Sequence, residues 1–75
     1  MMARIDQLEE IQKERLAKHA PIKAGFTIFK ANGETILQID SYGSADRQIP
    51  GKVSQSLQFG EKGIEALRSI LAKLP

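Results

Sequence analysis

The hydrophobic residues at the start of the chain follow a helical spacing. Residues 3–18 contain no Gly or Pro, and Ile5, Leu8 and Leu16 project onto one side of a helical wheel while charged residues fill the rest. Several Glu and Lys residues there are four positions apart, a spacing that supports a helix. Pro21 cannot continue a helix and ends the pattern. We therefore predict an amphipathic N-terminal helix.

The middle of the chain changes to the alternating pattern of a β-hairpin. Asn32–Gly33 is a preferred pair for a two-residue type I′ turn, and residues 25–31 and 34–42 alternate on either side of it. This turn sets a register in which Phe29 lies opposite Ile36. One face of the hairpin then carries the predicted core, which is Phe26, Ile28, Leu37 and Ile39. The other face is mixed and carries Thr27, Phe29, Ile36, Gln38, Asp40 and Tyr42.

A third strand and a second helix complete the predicted elements. Residues 43–52 form a loop rich in turn residues, and residues 52–59 alternate as a half-buried strand that ends at Gly60. The apolar residues between Glu61 and about Leu74 return to helical spacing. The elements thus predict an α+β domain in the order α-β-β-β-α, with a three-stranded antiparallel sheet backed by the C-terminal helix.

Composition adds an expectation about assembly. The 75 residues form a single domain overall, in which we separate the helix in 1–20 from a β-β-β-α unit in 25–75. A chain of this length buries only a thin core, and it has no cysteines with which to form a disulfide. Oligomerisation is a common remedy in small domains. We expect a homodimer.

The chemistry available to the chain is limited. With no cysteine and only His19 as a histidine, the sequence offers no metal site, and we expect no cofactor, no small-molecule substrate and no enzymatic activity. No apolar run has the length of a membrane span. The charged N-terminus lacks the apolar core of a signal peptide, so we expect a cytoplasmic protein without a membrane partner. The formal net charge of +2 is spread along the chain, which permits nucleic-acid binding without requiring it.

The mixed face of the predicted sheet is the candidate binding surface. Aromatic rings can stack on bases, while cations contact phosphates and amides or hydroxyls form hydrogen bonds. The alternative interpretation of this face is an ordinary solvated surface, with Phe29 and Ile36 as a local apolar pair. The candidate nucleic-acid-binding residues are Phe29, Lys30, Gln38, Tyr42, Arg47, Lys52, Ser54 and Ser56.

Short motifs between Leu37 and Leu71 support this interpretation. The segment 37–42 reads Leu-Gln-Ile-Asp-Ser-Tyr, and it is followed by a loop, by Pro-Gly-Lys at 50–52, by Ser-Leu at 56–57 and by an amphipathic helix. This arrangement resembles the single-stranded-DNA-binding transcriptional coactivator family (positive cofactor 4-like). The resemblance implies a homodimer, four strands before the helix and a groove for single strands. It also implies backbone contacts from Lys52 and the loop containing Arg47, and a strand-end aromatic at Tyr42.

Two functions follow as hypotheses. The first is non-enzymatic binding of single-stranded DNA or RNA by the sheet face and the 43–52 loop, in an accessory role in transcription or replication. The alternative is a small protein–protein interaction or dimerisation module that uses the N-terminal helix, whose apolar stripe would pair with a partner helix.

Overall fold

The computed structural model describes residues 2–42 and 53–75, which form one mixed sheet and one helix. The elements are β1 (Met2–Ile5), β2 (Ala24–Ala31), β3 (Glu34–Ser41), β4 (Gln55–Phe59) and α1 (Glu61–Leu71). The sheet order is β1-β4-β3-β2, in which β2, β3 and β4 are antiparallel neighbours and β1 runs parallel to β4. The predicted α+β class is confirmed. The expected three-stranded antiparallel sheet is wrong, because a fourth strand joins it in parallel.

The predicted hairpin is confirmed in its turn and its register. Asn32 and Gly33 both have positive φ, 53° and 77°, as a type I′ turn requires. Phe29 lies opposite Ile36, and all eight residues of β2 pair with β3 without a bulge. The turn sequence was sufficient to predict the register, because a two-residue loop allows the flanking strands only one alignment.

The predicted N-terminal helix is wrong. Residues 2–5 are a strand paired with β4, and residues 6–23 form neither helix nor strand. A helix of this length is only marginally stable without a surface to pack on, and each charged i,i+4 pair adds only about 0.2–0.5 kcal/mol. Pairing with the free edge of β4 removes Ile5 from the helical stripe and satisfies backbone groups on both strands.

The predicted C-terminal helix is confirmed, although α1 ends at Leu71 rather than Leu74. It crosses the sheet close to β1, because a Cβ atom placed on Gly63 would overlap the carbonyl oxygen of Ile5 and touch the Cβ of Phe59. A glycine here lets the helix backbone approach the sheet directly.

The start of α1 is held by a side chain from a distant strand. Gly60 stands at the N-cap and has no side chain with which to accept a hydrogen bond. The backbone N–H of Glu61 donates instead to Oε2 of Glu34, at 2.9 Å. A carboxylate at this position satisfies an unpaired donor and is favoured by the helix dipole. Glu34 therefore ties the first residue of β3 to α1.

Strand register divides the sheet into two faces. The helix face, against which α1 packs, carries Ala3, Ile5, Ala24, Phe26, Ile28, Lys30, Thr35, Leu37, Ile39, Ser41, Gln55, Leu57 and Phe59. The polar face carries Met2, Arg4, Gly25, Thr27, Phe29, Ala31, Glu34, Ile36, Gln38, Asp40, Ser56 and Gln58.

The core differs from the predicted one. Among the described residues, the buried apolar side chains are Phe59 on the helix face and Ile36 on the polar face, at 6% and 5% exposure. The predicted core residues Phe26 and Ile28 are 72% and 64% exposed. They lie on the edge strand, whereas α1 packs against β3 and β4. The hairpin pattern identified the face on which α1 packs, but it could not show how little of that face one short helix covers or that Ile36 is buried on the other face.

Candidate nucleic-acid interface

A continuous chain of side-chain hydrogen bonds crosses the polar face. Nε2 of Gln58 donates to Oε1 of Gln38 at 2.8 Å, and Nε2 of Gln38 donates to Oδ1 of Asp40 at 3.0 Å. The hydroxyl of Ser56 donates to the same Asp40 oxygen at 2.5 Å. We call these four residues the polar ladder. The register of β3 and β4 places Gln38 beside Gln58 and Asp40 beside Ser56, so the two cross-strand bonds join facing residues.

The polar ladder reduces the electrostatic obstacle that Asp40 presents to a polyanion. Two hydrogen-bond donors point at one oxygen of the Asp40 carboxylate, so its negative charge is partly compensated within the sheet. Each glutamine amide also carries two N–H donors, and the ladder uses one from each. The second donors are the groups available to hydrogen-bond a base or a sugar.

Two aromatic side chains flank the polar ladder. Phe29 is 36% exposed on the edge strand β2. Tyr42 follows β3 directly, and its hydroxyl lies over Gly25, where an added Cβ would come within 2.7 Å of the oxygen. Phe29 and Gly25 are four positions apart on β2, which corresponds to roughly 13 Å along an extended strand. The two rings therefore occupy two separate positions on the polar side of the sheet.

The structure adds a cation that the sequence interpretation missed. Arg4 lies on β1 opposite Gln58, next to the polar ladder. Its guanidinium makes an exposed ion pair with Asp6, with Nε 3.4 Å from Oδ1. The sequence placed Arg4 in a helix, and the alternation of a four-residue strand is too short to be recognised against the helical pattern around it.

The predicted site residues fall into three groups: those on the polar side of the sheet, one on the helix face, and those at or beyond the border of the described residues. The structure brings Phe29, Gln38, Tyr42 and Ser56 together on the polar side of the sheet. Lys30 is apart from them, because the register places it on the helix face.

The remaining candidates lie at the border of the described residues or beyond it. Ser54 precedes β4, and its backbone N–H donates to the carbonyl oxygen of Ser41 at 2.7 Å. Arg47, Lys52 and the rest of the 43–52 loop lie outside the described residues.

Other classes of site find little support in the described ranges. Across residues 2–42 and 53–75 there is no group of three or more histidine, aspartate or glutamate side chains placed to hold a metal ion. The helix found in those same ranges has neither the length nor the apolar character needed to cross a membrane. No family model, curated protein or solved structure matches the chain.

Proposed function

We propose that this protein is a non-enzymatic binder of single-stranded nucleic acid, and that it acts as a homodimer in transcription or replication. The observation that carries the proposal is the polar face of the sheet, where Phe29 and Tyr42 flank the hydrogen-bonded polar ladder. Bases stack on aromatic rings irrespective of their sequence, and amides accept varied partners. Four strands followed by a helix is also the element count that the resemblance to the coactivator family implies.

The geometry sets the size of the proposed contact. Stacked nucleotides rise about 3.4 Å each, so the roughly 13 Å between the two ring positions spans about four nucleotides. Sugar and base groups between the rings would meet the free donors of the polar ladder. A duplex hides its base faces and cannot use the rings, which is why we propose a preference for single strands.

Phosphate contacts are assigned to three cations. Arg4 lies beside the polar ladder in the described part of the sheet. The proposal adds Arg47 and Lys52, which the sequence interpretation assigns to this role. Lys30 is left out, because its strand position puts it on the helix face. Binding should therefore weaken with salt, and each lost phosphate contact should reduce the salt slope by about one.

The proposal is tested with labelled oligonucleotides followed by fluorescence anisotropy. Single strands of 20 nucleotides and the matching duplex are titrated at 50 and 200 mM salt. We expect the single strand to bind more tightly and its affinity to fall with salt. Phe29→Leu and Tyr42→Leu should each lower affinity by about 5- to 150-fold, the equivalent of about 1–3 kcal/mol per stacked base.

Matched variants on the helix face provide the controls. Phe26→Leu removes a ring and keeps an apolar side chain, as Phe29→Leu does, but from the opposite face. Arg68→Ala removes a cation from α1 and is compared with Arg4→Ala. Equal losses from both members of a pair would contradict the assignment to the polar face. An absence of single-strand binding at tens of micromolar protein and low salt would overturn the proposed function.

The alternative function depended on a helix in the N-terminal segment. Residues 6–23 contain no helix, and the apolar residues Ile11 and Leu16 are exposed there. The proposal therefore rests on the polar face of the sheet and not on this segment.

A further inference from the structure

The hydrogen bonds of the polar ladder run in one direction, and Asp40 sets that direction. A carboxylate can only accept hydrogen bonds, so the Gln38 amide turns its Nε2 toward Asp40. The Oε1 of Gln38 then faces Gln58, which presents its own Nε2 in turn. Ser56, which is 3% exposed, donates its hydroxyl to Asp40 from the neighbouring strand. The ladder therefore ends in an acceptor, the carboxylate of Asp40.

The two oxygens of that carboxylate differ in what they contact. Oδ1 accepts from Gln38 and from Ser56, so two donors already use its two lone pairs. Among the groups of residues 2–42 and 53–75, none donates a hydrogen bond to Oδ2. Oδ2 is therefore the acceptor that Asp40 offers to a ligand on the polar face.

Asp40 lies beside the position of Tyr42. Its cross-strand partner on β2 is Gly25, and the hydroxyl of Tyr42 lies over that glycine, 2.7 Å from where a Cβ atom would stand. Its partner on β4 is Ser56, which occupies Oδ1 from the other side. Stacking leaves the hydrogen-bonding edges of a base free for other contacts. Under the proposed function, a base stacked on Tyr42 therefore turns one edge toward Asp40.

The chemistry of an unoccupied carboxylate oxygen favours one base. Guanine carries two N–H groups side by side, at N1 and N2, and one oxygen with two free lone pairs can accept both. Adenine and cytosine each place a ring-nitrogen acceptor next to their amino group, and thymine and uracil flank their N–H with two carbonyl oxygens. A carboxylate repels these neighbouring acceptors, so it discriminates against every base except guanine.

We propose that Asp40 makes the protein prefer guanine at the Tyr42 position, with Oδ2 accepting hydrogen bonds from N1 and N2 of the base. The second N–H of the Gln38 amide is the donor available to O6, on the same edge of guanine. The inference rests on the proposed function and adds a base preference to it. Phe29 and Tyr42 supply binding that does not depend on sequence, and Asp40 is the residue that determines specificity.

The first test compares single bases with the wild-type chain. Labelled strands of about eight thymidines, short enough to limit alternative registers, carry guanine, adenine, cytosine or thymine at the centre. We expect the guanine strand to bind about 5- to 150-fold more tightly than the thymine strand, the discrimination of a good two-bond contact. Inosine lacks the amino group at N2 and should recover only part of this preference. 7-Deazaguanine keeps the N1 and N2 edge and should retain all of it.

The second test changes the acceptor itself. Asp40→Asn keeps the oxygen to which Gln38 and Ser56 donate and replaces Oδ2 by an amide that donates. The preference should then shift from guanine to thymine, whose carbonyl oxygens accept. A merely structural role for Asp40 would lower the affinity for every strand without reversing their order. Circular dichroism monitors folding.

The matched control for this variant is Glu34→Gln. It makes the same carboxylate-to-amide change at the other end of β3, outside the polar ladder, and should keep the guanine preference. Equal affinity for the four central bases would overturn the inference and leave the proposed function standing. A guanine preference that survives Asp40→Asn, or that 7-deazaguanine loses, would overturn it as well. An absence of binding to every strand would overturn the proposed function and this inference together.

Discussion

The two faces of the sheet are stabilised in different ways. The helix face depends on apolar contact, and α1 buries Phe59 while leaving Phe26 and Ile28 exposed at the edge. In the described residues no helix packs on the polar face, which holds the buried Ile36 and a set of hydrogen bonds between side chains of β3 and β4. Apolar contact is non-directional and depends on covered area, whereas a hydrogen-bonded ladder depends on register. The stability of one face therefore depends on how much of it α1 covers, and that of the other on which residues the register pairs.

The largest expected effect comes from the helix face. Phe59→Ala removes a buried ring and should lower the free energy of unfolding by about 3–5 kcal/mol, close to the whole stability of so small a domain. Urea denaturation at fixed protein concentration measures it. Leu57→Ala changes a more exposed residue of the same strand and face, and it should cost clearly less. Equal losses of unfolding free energy from the two variants would show that coverage by α1 does not determine how much a side chain on this face stabilises the domain.

A smaller effect is expected on the polar face. Ser56 is buried and donates to Asp40, so Ser56→Ala should lower the free energy of unfolding by about 1–3 kcal/mol through the weakened solvation of the carboxylate. Gln55→Ala is the control, because Gln55 is the exposed neighbour of Ser56 on β4 and lies outside the polar ladder. In a double-mutant cycle, the loss from Ser56→Ala should shrink in an Asp40→Asn background. A strictly additive cycle would contradict the coupling between these residues.

The smallest effect tests the connection between the faces. Glu34→Ala removes the acceptor for the first N–H of α1 and should cost about 0.5–2 kcal/mol, as the loss of a helix cap does. Glu34→Gln keeps an acceptor oxygen without the charge, so it should retain part of that stability. Thermal unfolding of the two variants separates the contribution of the hydrogen bond from that of the charge near the helix dipole. If Glu34→Gln lowers stability as much as Glu34→Ala does, the whole effect comes from the charge.

The sequence predicted those features of the fold that depend on near neighbours. The Asn32–Gly33 turn determined eight cross-strand pairs, and the spacing from Glu61 onward identified α1, because both signals act within a few residues. The N-terminal segment was mistaken for a helix because its strand exists only through pairing with β4, more than fifty residues away. The hydrophobic pattern of residues 2–5 alone cannot predict that these residues pair with a strand so far along the chain.

The candidate site shows the same division. Alternation placed Phe29, Gln38 and Ser56 on one face, since residue parity follows directly from register. The polar ladder itself depends on side-chain geometry between β3 and β4, and the position of Arg4 depends on the fourth strand. Lys30 was predicted to belong to the site, but it is adjacent to Phe29 in β2, and adjacent residues of a strand point to opposite faces.

The parallel pairing of β1 has a consequence for the order in which the fold is built. Met2 lies opposite Ser56 and Ile5 lies opposite Phe59, so β1 cannot pair until β4, more than fifty residues further along the chain, has been synthesised. Gly63 packs on the carbonyl of Ile5, which places α1 in the same late step. The hairpin closes a two-residue loop and needs nothing else, so it should form first. Pulsed hydrogen exchange during refolding should show early protection in Phe26–Ile39 and late protection in Ala3–Ile5. Until that last step, the backbone donors and acceptors that β1 presents to β4 have no strand partner.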